Sequence, residues 1–305
     1  MTERRIIGDP AIVQEETLAQ KKCGKRIGVV PTMGALHKGH LELIRRAKAE
    51  CDFVVVTVFV NPVQFAPTED LQKYPRTPEQ DWELLKPMNV DIVFMPTEKE
   101  IYLAGYDTYV ETGELSKRFE GKTRPAHFRG VATIVLKLMN IASPDAAFFG
   151  QKDYQQFCVV RKMAADLNLP VEIVACPTVR EPDGLAMSSR NRYLSLEERK
   201  QAAAIPQSLK VAQNMRNAGV ADAKEMRKNI QAVLETSPLA EIDYIAIADP
   251  LTLEEISVIP SMPQNLLSQQ RGMRLLVPEN PTPRAVVLLA VRFGKTRLID
   301  NCLLY

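Results

Sequence analysis

Two histidines stand three residues apart in a glycine-containing stretch near the amino terminus, and together they could act on a phosphate. The stretch runs Val30-Pro31-Thr32-Met33-Gly34-Ala35-Leu36-His37-Lys38-Gly39-His40. Residues three apart on a helix share one face, so we expect the two imidazoles to lie side by side. Such a pair could stabilise charge that develops on a nucleotide phosphate. The alternatives are a structural role or a weak metal pair, but no cysteine or carboxylate nearby in sequence completes an obvious zinc site.

The residues on either side of this pair predict a turn that binds an anion. An apolar run, Ile27–Val30, precedes the turn and predicts a strand, and apolar residues at helical spacing begin at Leu41. The first turn of such a helix carries unpaired backbone N–H groups and the positive end of the helix dipole. A phosphate binds well there, and Gly34 and Gly39 would let the backbone approach it closely.

The histidine stretch also resembles a known motif. His37-Lys38-Gly39-His40 resembles the HxGH motif of the nucleotidyltransferase superfamily, which class I aminoacyl-tRNA synthetases share. The longer pattern Pro-Thr-Met-Gly-Ala-Leu-His-x-Gly-His resembles the pantoate–β-alanine ligase family, the pantothenate synthetases. The resemblance implies that His37 and His40 are catalytic. It assigns one continuous set of residues to ATP: Met33, Gly34, Ala35, Leu36, His37, Lys38, Gly39 and His40.

A second polar group follows the next predicted strand. The apolar run Phe53–Val60 has β-branched residues on both faces, as in a central parallel strand, and ends at Asn61-Pro62-Val63-Gln64. Ligands collect at the carboxyl ends of parallel strands, so Asn61 and Gln64 could bind a polar substrate. From composition alone, a plain Asn-Pro turn is the favoured alternative. The segment resembles the family's pantoate-binding element, in which the glutamine holds the hydroxyl and carboxylate of pantoate.

A small basic cluster precedes the predicted helix Ala132–Ile141. It consists of Arg124, His127 and Arg129, and either an anion site or a solvated loop would suit it. The cluster resembles the family's RPxHFxGV element. All three histidines of the chain thus fall within family motifs.

A fourth motif repeats the order of strand end, glycine, cation and helix start. It runs Gly150-Gln151-Lys152-Asp153-Tyr154-Gln155-Gln156. Lys152 could reach a phosphate as a point charge, and Asp153 could accept from a ribose hydroxyl or cap the helix. The motif resembles the family's GEKDxQQ element, which implies that Lys152 is catalytic, that residues 150–153 bind ATP and that Gln156 binds pantoate. Gln151 stands where the family usually has glutamate.

A fifth motif combines two hydroxyls and a guanidinium in a predicted loop. Ser188, Ser189 and Arg190 follow a Pro/Asp/Gly-rich approach, and such groups can grip a polyphosphate. Ser195 nearby predicts an ordinary helix N-cap. Met187-Ser188-Ser189-Arg190 resembles the family's counterpart of the synthetase KMSKS loop, which implies contacts with the β- and γ-phosphates. Val179 matches the position whose backbone meets adenine.

The order of the elements predicts an α/β fold. We expect a Rossmann-like, doubly wound parallel sheet over residues 1–182 and a smaller α+β domain, a lid over the active site, over residues 183–305. An edge strand is predicted at Thr108–Glu111 and a long amphipathic helix at Glu197–Asn217. Residues 260–284 are rich in proline and asparagine and predict an inserted surface loop.

Charge and cysteine content exclude several classes of protein. The formal net charge is +2, which argues against a nucleic-acid-binding surface. The five cysteines are scattered and form no CxxC pair, as in reduced cytoplasmic proteins. No apolar run is long enough to span a membrane, and the amino terminus lacks a secretion signal. We therefore expect a cytoplasmic protein.

Five motifs in the family's order imply one activity. It is the ATP-dependent condensation of pantoate with β-alanine to give pantothenate, AMP and pyrophosphate through a pantoyl adenylate. Mg²⁺ is expected as a counter-ion of the phosphates without dedicated protein ligands, and the family is expected to be homodimeric. One alternative is a related HxGH nucleotidyltransferase with a different acceptor. The other is a nucleotide-binding module without catalysis, which the presence of His37, His40, Lys152 and Arg190 disfavours.

Overall fold

The chain folds into two compact units. The computed structural model describes residues 5–66, 71–261 and 282–305. One unit holds the described residues up to Gln151 together with Gln155–Pro177, and the other holds Lys152–Tyr154 and the described residues from Thr178 onward. The predicted domain boundary at residue 182 stays a prediction. The predicted loop at 260–284 falls mostly on residues outside the described ranges.

A six-stranded parallel sheet forms the centre of the first unit. Its strands are β1 (Ile6–Ile7), β2 (Ile27–Thr32), β3 (Phe53–Val58), β4 (Ile92–Phe94), β5 (Ala146–Gly150) and β6 (Glu172–Cys176). They lie in the order β1-β4-β3-β2-β5-β6, and every neighbouring pair is parallel. The chain winds outward from β2 in one direction and then from β5 in the other. The predicted doubly wound α/β sheet is confirmed.

Helices connect and cover these strands. They are α1 (Pro10–Lys22), α2 (Lys38–Glu50), α3 (Pro78–Leu85), α4 (Glu98–Ile101), α5 (Phe119–Thr123), α6 (His127–Ala142) and α7 (Tyr154–Asp166). The core of the sheet joins apolar residues of β2, β3 and β5 to Leu43, Ile44 and Ala47 of α2. Strand β3 is buried along nearly its whole length because helices cover both faces of a parallel sheet.

The second unit is an antiparallel sheet with helices, which confirms the predicted α+β character. Its strands are β7 (Ala240–Ala248), β8 (Ala285–Phe293) and β9 (Thr296–Leu304), and its helices are α8 (Leu196–Gln201), α9 (Ala204–Asn217) and α10 (Ala223–Leu234). Strands β8 and β9 form a hairpin around Gly294. A separate apolar core includes Ile205, Met226 and Val287, and Ser195 caps α8 as predicted.

Three sequence predictions of secondary structure were wrong. Thr108–Glu111 is not a strand, since the Val110 N–H donates to the Thr133 hydroxyl at 2.9 Å rather than to a neighbouring strand. The predicted helix Glu197–Asn217 is divided at Ala202, where Pro206, which has no N–H to donate, falls in the first turn of α9. Helix α6 begins five residues early, at His127 rather than Ala132.

Among the described residues, no helix combines the length and apolar character that crossing a bilayer would require.

We expect one of the five thiols to react rapidly in the native protein. Cys23 is exposed, whereas burial raises the pKa of Cys51 and Cys176 to about 11 and that of Cys302 to about 12. Cys158 is buried as well. At pH 8 a thiol of pKa 11 is only about 0.1% thiolate, the reactive form. Titration with Ellman's reagent should therefore show one fast thiol in the native protein and five in denaturant. Two or more fast native thiols would contradict this assignment.

Candidate active site

The turn of residues 33–40, here called the nucleotide turn after its predicted ligand, and the Gly150 motif follow β2 and β5. Between these two strands the order in which the chain adds strands to the sheet changes direction. Residues 33–40 follow β2, and Gln151 follows Gly150 at the end of β5. Strands β2 and β5 are neighbours, and ligands in doubly wound sheets bind at this reversal. The fold therefore brings these two predicted segments to the same end of the sheet in the first unit.

A buried carboxylate that was not predicted from the sequence holds the nucleotide turn. Asp81 of α3 is 1% exposed. It accepts hydrogen bonds from the backbone N–H groups of Ala35 at 3.0 Å and Leu36 at 2.7 Å. Ala35 has a positive φ of 50°, a costly conformation that this anchor helps to maintain. An acidic residue on the same helix face as buried Leu85 was the available signal, but its partners lie about 45 residues away in sequence.

Asp81→Asn should loosen the turn. The amide retains one acceptor oxygen, so one of the two backbone N–H groups would face an amide nitrogen. Leaving a buried donor unsatisfied costs about 1–3 kcal/mol. We expect a lower melting temperature and a KM for ATP raised about tenfold, with a smaller change in the KM for pantoate. Exposed Glu83 lies on the same helix, and Glu83→Gln is the matched control. An unchanged KM for ATP would show that Asp81 is dispensable to the turn.

The two histidines form a reciprocal cap at the start of α2. His37 is the N-cap residue rather than part of the helix, which corrects the prediction that both imidazoles lie on one helix face. The His37 Nδ1 accepts from the Gly39 N–H at 3.1 Å, and the His40 Nδ1 accepts from the His37 N–H at 3.2 Å. The ring centroids are 4.1 Å apart. The predicted side-by-side placement is thus achieved by capping.

Capping determines where each imidazole carries its proton. A backbone N–H can only donate, so both Nδ1 atoms must be acceptors and each neutral ring carries its proton on Nε2. Both rings therefore have an N–H donor at Nε2, which suits phosphate oxygens. Gly39 is required because a Cβ there would lie 2.8 Å from the His37 ring. The backbone at Gly39 thus approaches a side chain of the protein closely.

Asn61 and Gln64 lie beside Met33 of the nucleotide turn. Residues of β2 and β3 pair in register up to Thr32 and Val58, so the segments after the two strands are neighbours. The Gln64 Nε2 lies 3.0 Å from the Met33 Sδ, and the Asn61 Nδ2 lies 3.2 Å from the Gln64 Oε1. Both side chains are buried. Asn61 also caps the short 3₁₀ turn Pro62–Gln64, as the Asn-Pro alternative predicted.

The basic cluster supports the backbone of Gln64. The His127 Nε2 lies 3.1 Å from the Arg124 guanidinium, which can only donate, and so the His127 Nδ1–H donates to the Gln64 carbonyl at 3.0 Å. The Arg129 guanidinium lies 4.1 Å from the Tyr109 ring centroid. His127 and Arg129 belong to α6, so the alternative of a solvated loop before the helix is wrong for them.

A cationic cleft in the second unit contains three of the predicted site residues. Lys152, Ser188 and Arg190 line it, together with Asp300 and with Arg297, which was not predicted from the sequence. The Asn301 side chain donates to the Lys152 carbonyl at 2.9 Å and fixes the backbone there. The Lys152 Nζ is 3.5 Å from an Asp153 carboxylate oxygen, and the side chain is 16% exposed. The lysine and arginine side chains here are donors of the kind that phosphate oxygens accept.

The remaining predicted site residues occupy two places. Gln156 lies half-buried in α7. Gln151 and Asp153 lie in the short 3₁₀ turn that precedes this helix. Met187 and Ser189 flank Ser188, whose hydroxyl accepts from the Arg190 N–H at 3.2 Å. The Met187 N–H donates to the Val179 carbonyl at 2.9 Å, which closes the loop immediately before Ser188. No cluster of three metal-ligating side chains occurs within residues 5–66, 71–261 and 282–305.

Comparison with known sequences identifies the family. The family model for pantoate–β-alanine ligase matches residues 5–303. The pantothenate synthetase of Roseiflexus castenholzii is 47% identical over 294 residues, covering 96% of this chain and 98% of that protein. The pantothenate synthetase of Thermotoga neapolitana is 49% identical over 289 residues, which are 95% of each chain.

Solved structures agree with this assignment. Pantothenate synthetase from Thermus thermophilus matches with a TM-score of 0.85 and 40% identity, over 99% of both chains. Pantoate–β-alanine ligase from Francisella tularensis, crystallised with β-γ ATP and β-alanine, matches with a TM-score of 0.75 and 33% identity, over 99% of this chain and 98% of that one. The chain therefore belongs to the pantoate–β-alanine ligase family and is a ligase that forms a C–N bond.

Proposed function

We propose that His37 and His40 stabilise the triphosphate of ATP in the reaction of this ligase, the ATP-dependent condensation of pantoate with β-alanine. The reciprocal cap is the observation that carries this role. It fixes two rings 4.1 Å apart, each with its Nδ1 occupied by a backbone donor. Two Nε2–H donors held in this way need little reorganisation when charge develops on a phosphate, and such preorganisation is a major source of catalysis.

The reaction needs ATP because a carboxylate is a poor acyl donor. Attack of a pantoate carboxylate oxygen on the α-phosphorus breaks the bond to pyrophosphate and gives a mixed anhydride, pantoyl adenylate. The β-alanine amine then attacks the activated carbonyl and loses a proton, and AMP departs with the bonding electrons. Positioning and charge stabilisation dominate such phosphoryl chemistry, and no side chain has to become covalently attached.

The cations of the second unit are assigned to the triphosphate. Lys152 supplies a compact positive charge, and Arg190 supplies a planar fork that suits two phosphate oxygens. Ser188 and Ser189 add hydroxyl donors. Asp153 and Gly150 are assigned to the ribose and Val179 to adenine. The lining of one cleft by Lys152, Ser188 and Arg190 supports this assignment.

Pantoate is assigned to Gln64 and Gln156. The buried Gln64 amide lies at the carboxyl end of a parallel strand, next to the nucleotide turn. The Asn61 side chain donates a hydrogen bond to the Gln64 Oε1. The carboxylate of pantoate, which attacks the α-phosphorus, would thus be bound by amide N–H donors. These amides cannot replace the carboxylate as the nucleophile.

Mg²⁺ is assigned to the phosphates of ATP. Hard cations of this kind keep several waters and bind through nucleotide oxygens plus few protein groups. The cleft of Lys152, Arg190 and Arg297 has donors for phosphate oxygens, and the Asp300 carboxylate that also lines it is paired with Arg180 at 2.7 Å. Bound Mg²⁺ would neutralise phosphate charge. We further propose that the chain acts as a cytoplasmic homodimer, as the family resemblance implies.

Pyrophosphate release tests the function. With ATP, Mg²⁺ and D-pantoate, we expect release limited to about one equivalent per active site, because the adenylate stays bound. Addition of β-alanine should convert this burst into sustained formation of AMP and pantothenate. Absence of pantoate-dependent release would favour the alternative, a related nucleotidyltransferase with another acceptor, and a screen of carboxylic and phosphorylated acceptors would follow.

A further inference from the structure

The orientation of the Asn61 amide is fixed by its surroundings. Its Oδ1 accepts from the Val63 N–H at 3.3 Å and from the Tyr102 hydroxyl at 2.8 Å. Its Nδ2 donates to the Gly130 carbonyl at 3.1 Å and to the Gln64 Oε1 at 3.2 Å. A backbone N–H can only donate and a backbone carbonyl can only accept, so exchanging the oxygen and nitrogen of Asn61 would break both backbone bonds.

The orientation of Asn61 sets that of Gln64. Because Asn61 presents its NH₂ group, the partner atom on Gln64 must be the Oε1 oxygen. The Gln64 Nε2 then lies on the other side, 3.0 Å from the Met33 Sδ in the nucleotide turn. Gln64 therefore offers N–H donors toward that turn, which suit the carboxylate and hydroxyl oxygens of an acid substrate.

Tyr102 lies at the outer end of this chain of hydrogen bonds. Burial raises the pKa of its phenol, and the neighbouring Tyr106 and Tyr109 raise it further, so the hydroxyl stays protonated. Its ring packs against Tyr106 with centroids 5.0 Å apart. The Oδ1 of Asn61 has no proton, so the Tyr102 hydroxyl must be the donor.

Close packing holds Gln64 at its backbone as well. A Cβ on Gly130 of α6 would lie 2.5 Å from the Gln64 Cα and 2.6 Å from its backbone nitrogen. Any larger residue at position 130 would displace the glutamine. The Gly130 carbonyl, which accepts from the Asn61 side chain, lies at this same close contact between α6 and Gln64. The backbone of Gln64 is thus fixed by α6, which leaves its amide orientation to the side-chain hydrogen bonds.

We propose that Tyr102 is a positioning residue that acts through Asn61 to orient the Gln64 amide and so sets the affinity for the acid substrate. This inference rests on the proposed role of Gln64 in binding pantoate. Tyr102 would contact neither substrate nor nucleotide. Its hydroxyl would add a third restraint, beside the Val63 N–H and the Gly130 carbonyl, that holds Asn61 in the orientation on which the Gln64 amide depends.

The test compares two tyrosines of one aromatic cluster. Tyr102→Phe removes the donor to Asn61 and should raise the KM for pantoate about five- to tenfold, the effect of losing one hydrogen bond. The KM for ATP and kcat should change less than twofold. Tyr106→Phe removes a hydroxyl from the adjacent ring and is the matched control, expected to behave as wild type. Equal pantoate KM values for Tyr102→Phe and wild type would overturn the proposal.

Two further variants separate this proposal from the proposed function. Gln64→Glu keeps the shape of the side chain but replaces its donors with a carboxylate, and it should raise the KM for pantoate strongly. If Gln64→Glu leaves that KM unchanged, the role of Gln64 fails and the proposal about Tyr102 falls with it. In a Gln64→Ala background, Tyr102→Phe should have no additional effect, because substitutions within one hydrogen-bond network are not additive. A full additional effect would mean that Tyr102 acts by another route.

Discussion

Replacing His40 with alanine should lower kcat about 100- to 1000-fold while the KM for pantoate changes little. The reason is that the Nε2–H of His40 would be used chiefly on charge that develops in the transition state, and interactions of that kind affect kcat rather than ground-state binding. Pyrophosphate release in a single turnover measures the step directly. Turnover within about threefold of wild type would exclude this role.

Two shape-matched replacements separate catalysis from capping. The side chain of asparagine can place an oxygen near the position of the His40 Nδ1, and that of glutamine can place an NH₂ group near Nε2. His40→Asn should keep the cap on the His37 N–H and the melting temperature but lose kcat. His40→Gln should retain a higher kcat than His40→Asn but have a lower melting temperature. Arg45→Ala, at an exposed position of the same helix, is the control for non-specific effects on α2.

Lys152→Met should reduce kcat/KM for ATP about 100- to 1000-fold, a loss of a few kcal/mol in transition-state binding. Methionine preserves most of the aliphatic stem, so the change removes charge with little loss of packing. The Asn301 side chain holds the Lys152 carbonyl, and this contact is unaffected by the substitution. We therefore expect an unchanged melting temperature.

The comparison for Lys152 is Lys210→Met in the same unit, at an exposed position of α9. That variant should keep wild-type kinetics. Pyrophosphate release as a function of ATP concentration, at saturating pantoate, measures both. Equal defects in the two lysine variants would indicate a general effect of charge, and the assignment of Lys152 to the triphosphate would be withdrawn.

The sequence was sufficient to predict the parallel sheet and the place of the nucleotide turn. Both depend on local patterns, namely continuous β-branched runs in β2 and β3 and a glycine turn before α2. The role of His37 as an N-cap was missed because helical spacing does not reveal which residue begins a helix. Asp81 was missed for another reason. Asp81 acts by accepting from the backbone N–H groups of Ala35 and Leu36, which only the folded chain brings near it.

The same limit explains the α6 error and the importance of Tyr102. Helix α6 was expected to begin at Ala132, where apolar spacing becomes dense, but the structure extends it back through Gly130. That extra turn approaches Gln64, from which it is separated by more than 60 residues in sequence. Contacts of this kind have no local signature, and the hydrogen bond of Tyr102 to Asn61 spans 41 residues.

The three residues Lys152–Tyr154 have a consequence for attempts to exchange parts between relatives. The chain leaves the first unit at Gln151, spends these three residues in the second, and returns at Gln155. Their partners there are Asn301 and the carbonyl of Pro250, which accepts from the Tyr154 hydroxyl at 2.9 Å. A chimaera with a single crossover near residue 177 would therefore combine Lys152 of one parent with Asn301 of the other. A clean exchange requires three junctions, and recombination within this family should favour parents that match at positions 152, 154, 250 and 301.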